Sequence, residues 1–85
     1  MPIVEIYTRS FCSYCYRAKR LLDAKGIAYQ EHEVGFGSAE KQDMIQRSGG
    51  RTTVPQIFID GRHIGGCDDL MELERRGELD ELLAA

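Results

Sequence analysis

The stretch IVEIYTRSFCSYCYRAKRLLDAKG, residues 3–26, decides the fold of this 85-residue chain. Its first five residues are mainly β-branched and aromatic, which is typical of a buried strand. From Tyr14 onward apolar residues recur at spacings of three and four, which predicts a helix with one buried face that ends at the final glycine. The pattern therefore places Cys12 at the start of this helix and Cys15 about one turn inside it.

The rest of the chain predicts a strand, a helix, a β-hairpin and two more helices. The dipeptide Asp60-Gly61 stands between two apolar runs, and a type I′ hairpin turn favours this dipeptide. Asp68 and Asp69 open the third helix and basic residues before Gly77 close it, in agreement with the helix dipole. In chain order, the predicted strands and helices cover residues 3–7, 14–25, 27–34, 39–47, 54–59, 62–64, 68–76 and 78–84.

The predicted order is β-α-β-α-β-β-α-α, which indicates an α/β protein. The early β-α-β unit implies a parallel pair of strands, and the hairpin adds an antiparallel pair. We therefore expect one mixed four-stranded sheet flanked by helices. Because 85 residues are few and no repeat or linker divides them, residues 1–85 are expected to form a single domain.

Composition and charge exclude several classes of function. The formal net charge of −3 argues against general binding of nucleic acid, which requires a basic face. No apolar run reaches the roughly 20 residues of a membrane span, and the N-terminus has no basic leader, so we expect a cytoplasmic protein without membrane contact. The charge is uneven, since residues 1–25 carry five Lys or Arg against two carboxylates and residues 26–85 carry six against twelve.

The chain has three cysteines, Cys12, Cys15 and Cys67. An odd number cannot form a closed disulfide framework. A structural zinc site would need further ligands from Cys67, His32 and His63, but the sequence has no second C-x-x-C and no H-x₃₋₅-H pair. The two histidines lie in strand segments without a motif and are interpreted as structural. The pair at the helix start is therefore interpreted as a redox dithiol.

The helix start gives the two thiols of the pair different tasks. The thiolate is the reactive species in disulfide exchange, and unpaired N–H groups at a helix start favour negative charge. Arg9 and Arg17 add positive charge nearby. We therefore predict that Cys12 is the nucleophile with a lowered pKa, and that the more buried Cys15 resolves the mixed disulfide.

Four segments and a hairpin occur together in one order along the chain. They are residues 4–8, Cys12-Ser13-Tyr14-Cys15, Thr53-Val54-Pro55 and Gly65-Gly66-Cys67-Asp68-Asp69, with the Asp60-Gly61 hairpin between the last two. Through them the whole chain resembles small bacterial glutaredoxins, which have the thioredoxin fold. The resemblance implies glutathione-dependent reduction of protein disulfides and of mixed disulfides with glutathione, and a cis peptide before Pro55. It does not extend to Ser13, where the commonest family motif has proline, and this difference leaves the redox potential open.

The resemblance also implies a binding site for glutathione, which has two carboxylates. Arg9 and Arg51 match the family positions that hold the glycine carboxylate. The backbone of Val54 would pair with the cysteinyl part of the ligand as an added strand does. Thr53 belongs to the same segment, and Tyr14 would flank the reacting sulfurs.

The second half of the implied site lies at the start of the third helix. Gly66 would let the ligand backbone approach closely, and the amides of Cys67 and Asp68 would receive the γ-glutamyl carboxylate. Asp68 and Asp69 would answer the ammonium group of that residue. Other interpretations stay open from the sequence alone: the arginines as solvated cations, the two aspartates as helix caps, and Cys67 as a small residue at a helix start or a redox-regulated thiol.

We expect a monomer whose partners are glutathione and proteins that carry disulfides or are glutathionylated. Two alternatives remain at this stage. Some glutaredoxins with altered motifs carry a [2Fe–2S] cluster between two protomers, with thiolate ligands and bound glutathione. The second alternative is a thioredoxin that a flavoprotein reductase serves, against which stand the cations near the dithiol and the absence of tryptophan.

Overall fold

The secondary structure follows the predicted order. The computed structural model describes residues 2–84 and contains four strands and four helices in that part of the chain. Within these residues no helix is both long and apolar enough to cross a membrane. The strands and helices are β1 (Val4–Thr8), α1 (Ser13–Ala24), β2 (Gln30–Glu33), α2 (Ala39–Arg47), β3 (Gln56–Ile59), β4 (Arg62–Gly65), α3 (Cys67–Arg75) and α4 (Glu78–Ala84).

The strands form one mixed sheet in the order β2-β1-β3-β4. β1 pairs in parallel with β2 and antiparallel with β3, and β3 pairs antiparallel with β4. This confirms the expected mixed four-stranded sheet. Because β1 is central, its carboxyl end at Thr8 leads directly from the middle of the sheet into the loop that carries Cys12.

Two strands are shorter than the sequence predicts. β2 covers only Gln30–Glu33 of the predicted 27–34, because it is an edge strand whose register with β1 spans four pairs. β3 begins at Gln56, since Pro55 has no N–H to contribute to the ladder. The hairpin turn is as predicted: Asp60 and Gly61 both have positive φ, 51° and 80°, as a type I′ turn requires.

The two faces of the sheet bury different cores. Alternate residues of a strand point to opposite faces, so Ile6 and Tyr7 belong to separate clusters. The larger cluster packs α1, α3 and α4 on one face, and the smaller one packs α2 on the other. The larger cluster contains Val4, Ile6, Ala18, Leu22, Ile57, Ile59, Cys67, Leu70, Leu79 and Leu83, and the smaller one contains Tyr7, Val34, Met44 and Phe58.

Charged side chains fix α2 against its face of the sheet. Arg47 donates to both carboxylate oxygens of Glu5, at 3.1 and 2.9 Å, and to the Tyr7 hydroxyl at 2.8 Å. Its guanidinium lies 4.2 Å from the centre of the Phe58 ring, and the Tyr7 hydroxyl in turn donates to Asp43. The hydrogen bonds from Arg47 hold the pKa of the Glu5 carboxyl below its usual value.

Candidate functional site

The dithiol lies where the central strand passes into the first helix. Cys12 is the N-cap residue of α1, with extended backbone angles, and Cys15 lies in its first turn. The two cysteines form a disulfide, with their Cα atoms 5.2 Å apart. The backbone N–H of Cys15 donates to the Cys12 sulfur at 3.1 Å. Cys12 is half-buried, whereas Cys15 is buried at 2% exposure, so a partner reaches Cys12 first.

A groove of about 310 Å³ lies beside the dithiol, at the lower end of the range for small-molecule sites. Val54 lines this groove, and its carbonyl oxygen lies 4.0 Å from the Cys12 sulfur, so the groove is adjacent to the dithiol. The Val54–Pro55 peptide is cis, as the resemblance implied. Pro55 and eight of the nine predicted binding residues line the groove. The eight are Tyr14, Arg51, Thr53, Val54, Gly66, Cys67, Asp68 and Asp69.

The start of α3 forms one wall of the groove. Oδ2 of Asp69 accepts the N–H of Gly66 at 2.9 Å. Asp69 therefore caps the helix, which is the role that the sequence left open for the two aspartates. The same oxygen lies 3.8 Å from the guanidinium of Arg51. A Cβ at Gly66 would lie 3.3 Å from the Pro55 carbonyl, so glycine allows the two backbones to approach closely. Asp68 is exposed beside them.

Cys67 borders the groove as the first residue of α3, but its thiol belongs to the core. The residue is 4% exposed and packs within the larger hydrophobic cluster. Burial raises the pKa of the Cys67 thiol, which stays protonated near neutral pH. This environment supports the interpretation as a small buried residue over that of a redox-regulated thiol.

Arg9 is the one predicted binding residue that the structure does not bring to the groove. It lines a separate, larger cavity of about 670 Å³ on another side of the dithiol. Phe11, which is fully exposed and has a φ of 61°, lines the same cavity with Lys19. Arg17 is exposed, and its guanidinium lies 5.9 Å from the centre of the Tyr14 ring.

Gln56, which the motifs of the sequence do not include, is fully buried next to the groove segment Thr53–Pro55. Its carboxamide donates to the backbone oxygen of Thr53 and accepts from His63. One signal in the sequence could have found it, because Gln56 is a lone polar residue within the otherwise apolar run of β3. A buried polar group of this kind requires hydrogen-bond partners.

A C-x-x-C disulfide at a helix N-terminus, beside a cis-proline loop and on this sheet, defines a thiol–disulfide oxidoreductase with the thioredoxin fold. The glutaredoxin family model matches residues 4–64, most of the chain. The chain therefore belongs to the glutaredoxin family, which confirms the resemblance seen in the sequence.

Individual relatives agree with this assignment. Glutaredoxin 3 of Escherichia coli (strain K12) is 59% identical over 83 residues, which cover 98% of this chain and 99% of that protein. A glutaredoxin of Pseudomonas aeruginosa is 53% identical over 85 residues and covers all of both chains. Among solved structures, the buckwheat glutaredoxin–glutathione complex has a TM-score of 0.86 at 38% identity and covers 98% of this chain and 77% of that one.

Proposed function

We propose that the protein uses glutathione to reduce protein disulfides and mixed disulfides between proteins and glutathione. The observation that carries this proposal is the groove beside Cys12, which brings together an arginine, the backbone of Thr53 and Val54, and a helix N-terminus next to the dithiol. An anionic tripeptide with a thiol requires these groups. A further support is that a structural neighbour, the buckwheat protein, was solved as a complex with glutathione.

The start of α1 favours the thiolate of Cys12 once the disulfide is reduced. The N–H of Cys15 already points at the Cys12 sulfur, and it would stabilise negative charge on that atom together with the helix dipole. The Cys15 sulfur, being buried, has no comparable access to a partner. This difference in exposure supports Cys12 as the nucleophile and Cys15 as the resolving thiol.

With a glutathionylated protein, the Cys12 thiolate attacks the sulfur of glutathione. The protein's cysteine leaves as a thiolate, and Cys12 is left in a mixed disulfide with glutathione. The thiolate of a second glutathione then attacks the glutathione sulfur of that disulfide. This step releases oxidised glutathione and regenerates the Cys12 thiolate, so one free glutathione thiol is consumed for each protein thiol released, and the other half of the oxidised glutathione comes from the substrate.

With a protein disulfide, Cys12 attacks one sulfur and the protein's other cysteine leaves as a thiolate. Cys15 then attacks the Cys12 sulfur, forms the intramolecular disulfide and releases the reduced protein. Two glutathione thiols afterwards reduce that disulfide again. The 5.2 Å between the two Cα atoms suits this closure, since disulfides span about 4.4–6.8 Å.

The proposed orientation of glutathione follows from the walls of the groove. Arg51 would hold the glycine carboxylate, and the helix start at Cys67 and Asp68 would receive the γ-glutamyl carboxylate. The register between β1 and β3 ends at Gln56, so the backbone of Val54 extends beyond the sheet and can pair with the cysteinyl residue. Asp69 already caps α3, and Asp68 would therefore face the ligand's ammonium group.

We further propose that the protein acts as a monomer in the cytoplasm. The [2Fe–2S] alternative is instead a dimer, because its cluster would be held by the nucleophilic thiol and a bound glutathione from each of two protomers.

The test is an assay with a glutathionylated small-molecule disulfide, excess glutathione and an enzyme that recycles oxidised glutathione. We expect turnover that rises and saturates with glutathione and disappears in Cys12→Ser. A colourless protein after anaerobic purification would agree with this function. A brown protein with cluster absorption and no turnover would contradict it and favour the cluster carrier.

A further inference from the structure

The Thr53–Val54 peptide is held from behind by one buried side chain. Gln56 is fully buried, and its Nε2 donates to the backbone oxygen of Thr53 at 3.0 Å and to the Thr53 hydroxyl at 3.3 Å. Its Oε1 lies 2.7 Å from Nε2 of His63. Both polar atoms of this carboxamide are thus hydrogen-bonded, Nε2 to Thr53 in the groove and Oε1 to His63 in β4.

The chemistry of the contacts fixes the orientation of the carboxamide. The Thr53 carbonyl can only accept a hydrogen bond, so the amide nitrogen of Gln56 must face it. Oε1 must then face His63, so Nε2 of His63 carries a proton and donates it, and a neutral ring is therefore the Nε2–H tautomer. Burial and the charge of Arg51 lower the pKa of His63, which favours that neutral form. The His63 ring is also held against Phe58, with centroids 5.1 Å apart.

Holding the Thr53 oxygen also fixes the direction of the Val54 N–H. The two groups belong to one planar trans peptide, in which the C=O and the N–H point in opposite directions. With the oxygen bound to Gln56 on the buried side, the Val54 N–H points away from the core. Thr53 and Val54 both line the groove, so this direction leads to the ligand.

We propose that Gln56, oriented by His63, is a positioning residue for glutathione: it sets the peptide plane that presents the Val54 N–H to the cysteinyl part of the ligand. This inference rests on the proposed function, because it assigns a task within the same groove. Gln56 does not touch the ligand and takes no part in the exchange of sulfurs.

Two substitutions separate positioning from packing. Gln56→Met keeps the length of the side chain but removes the donor. Gln56→Glu keeps the shape and an acceptor for His63 and also removes the N–H that holds Thr53. Gln42→Met is the matched control, since Gln42 is an exposed glutamine of α2 outside the groove. His63→Phe keeps a ring against Phe58 and removes the donor to Gln56.

We expect both Gln56 variants to raise the KM for glutathione about five- to tenfold, the loss of roughly one hydrogen bond. kcat at saturating glutathione should stay within about twofold, and so should the rate at which iodoacetamide alkylates Cys12, which needs no groove. His63→Phe should show a smaller rise in KM, because the carboxamide loses only one of its partners. Gln42→Met should match the wild type.

Amide NMR of the same proteins gives the second readout. In the wild type, glutathione should shift the Val54 amide proton strongly, and in the Gln56 variants this shift should be reduced. Circular dichroism decides which variants are folded, and His63→Phe provides the answer if neither Gln56 variant folds. A folded variant with unchanged KM and an unchanged Val54 shift overturns the inference. Wild-type turnover that does not depend on glutathione instead contradicts the proposed function, and the inference with it.

Discussion

The two cavities that border the dithiol differ in whether their polar groups are already paired within the protein. The cavity at Arg9 has about 670 Å³, but its polar side chains largely satisfy one another: Lys19 pairs with Glu31 at 2.9 Å, and Ser10 donates to Glu33 at 3.1 Å. The groove at Arg51 has less than half that volume.

The smaller groove instead offers groups that a ligand can use. Its walls are a backbone segment beyond the sheet, the first turn of α3 and an arginine whose side chain is about half exposed. A tripeptide with two carboxylates binds through backbone pairing and charge, neither of which scales with volume. Available hydrogen-bonding groups, rather than empty space, are therefore the reason for proposing the smaller groove as the glutathione site.

The largest expected effect concerns the two sulfurs of the dithiol. Cys12→Ser should abolish reduction of every disulfide substrate, because the mixed disulfide cannot form. Cys15→Ser should retain turnover of glutathione mixed disulfides and lose most reduction of protein disulfides, which needs the resolving thiol. The measurement is steady-state turnover with one substrate of each kind. Equal losses in both variants would contradict this division of tasks.

A pair of arginine variants tests the comparison directly. Arg51→Ala should raise the KM for glutathione about tenfold, as expected for losing a charge-assisted contact to a carboxylate. Arg9→Ala removes the same charge from the other cavity and should change this KM by less than about threefold, through long-range attraction alone. A larger effect of Arg9→Ala would place glutathione, wholly or in part, in the larger cavity.

The Cys12 and Cys67 thiols should have different pKa values. Cys12 faces the helix N-terminus, whereas burial raises the pKa of Cys67 in the wall of the groove. In the reduced protein, iodoacetamide at mildly acidic pH should therefore alkylate Cys12 and leave Cys67 unmodified, as peptide mass spectrometry can determine. An ordinary thiol pKa at Cys12, read from the pH dependence of its alkylation, would count against its role as nucleophile.

The smallest functional effect is expected for a network that borders neither cavity. Arg47→Met should destabilise the protein by about 1–3 kcal/mol at pH 7, because the partly buried Glu5 carboxylate loses its two hydrogen bonds from Arg47 and keeps only His32. The pKa of Glu5 is lowered in the folded state, so this stabilisation is fully present above its ordinary value of 4.5 and is lost as the pH falls.

The loss of stability in Arg47→Met should accordingly shrink between pH 6 and about pH 3, as thermal unfolding of both proteins can measure. The KM for glutathione should not change. A loss of stability that is the same at both pH values would show that Arg47 acts through packing on Phe58 rather than through Glu5.

Most of the fold could be predicted from local patterns in the sequence. The strand and helix around the dithiol and the Asp60-Gly61 turn depend on residues close in the sequence, and each lies where the sequence predicts it. β2 was predicted too long, because the length of an edge strand depends on how far its neighbour extends. Such a boundary is a property of the assembled sheet.

The residues of the candidate site likewise include some that the sequence predicts and some that it does not. Motif residues such as Arg51 and Gly66 are brought together as the resemblance implied. Arg9 precedes the dithiol closely in the chain, but the direction of its loop, which turns at Phe11 with positive φ, places it at the other cavity. Gln56 was overlooked because its partners lie behind the groove, and only the three-dimensional arrangement shows which backbone oxygen it holds.

The most direct test of the glutathione groove is an amide NMR comparison of Cys15→Ser before and after one equivalent of oxidised glutathione forms the mixed disulfide at Cys12. We expect the largest shifts at Val54 and at residues 66–68, with the amides of Lys19, Glu31 and Glu33 nearly unchanged. Large shifts at those three residues, with residues 66–68 unmoved, would contradict this expectation and place the tripeptide in the larger cavity.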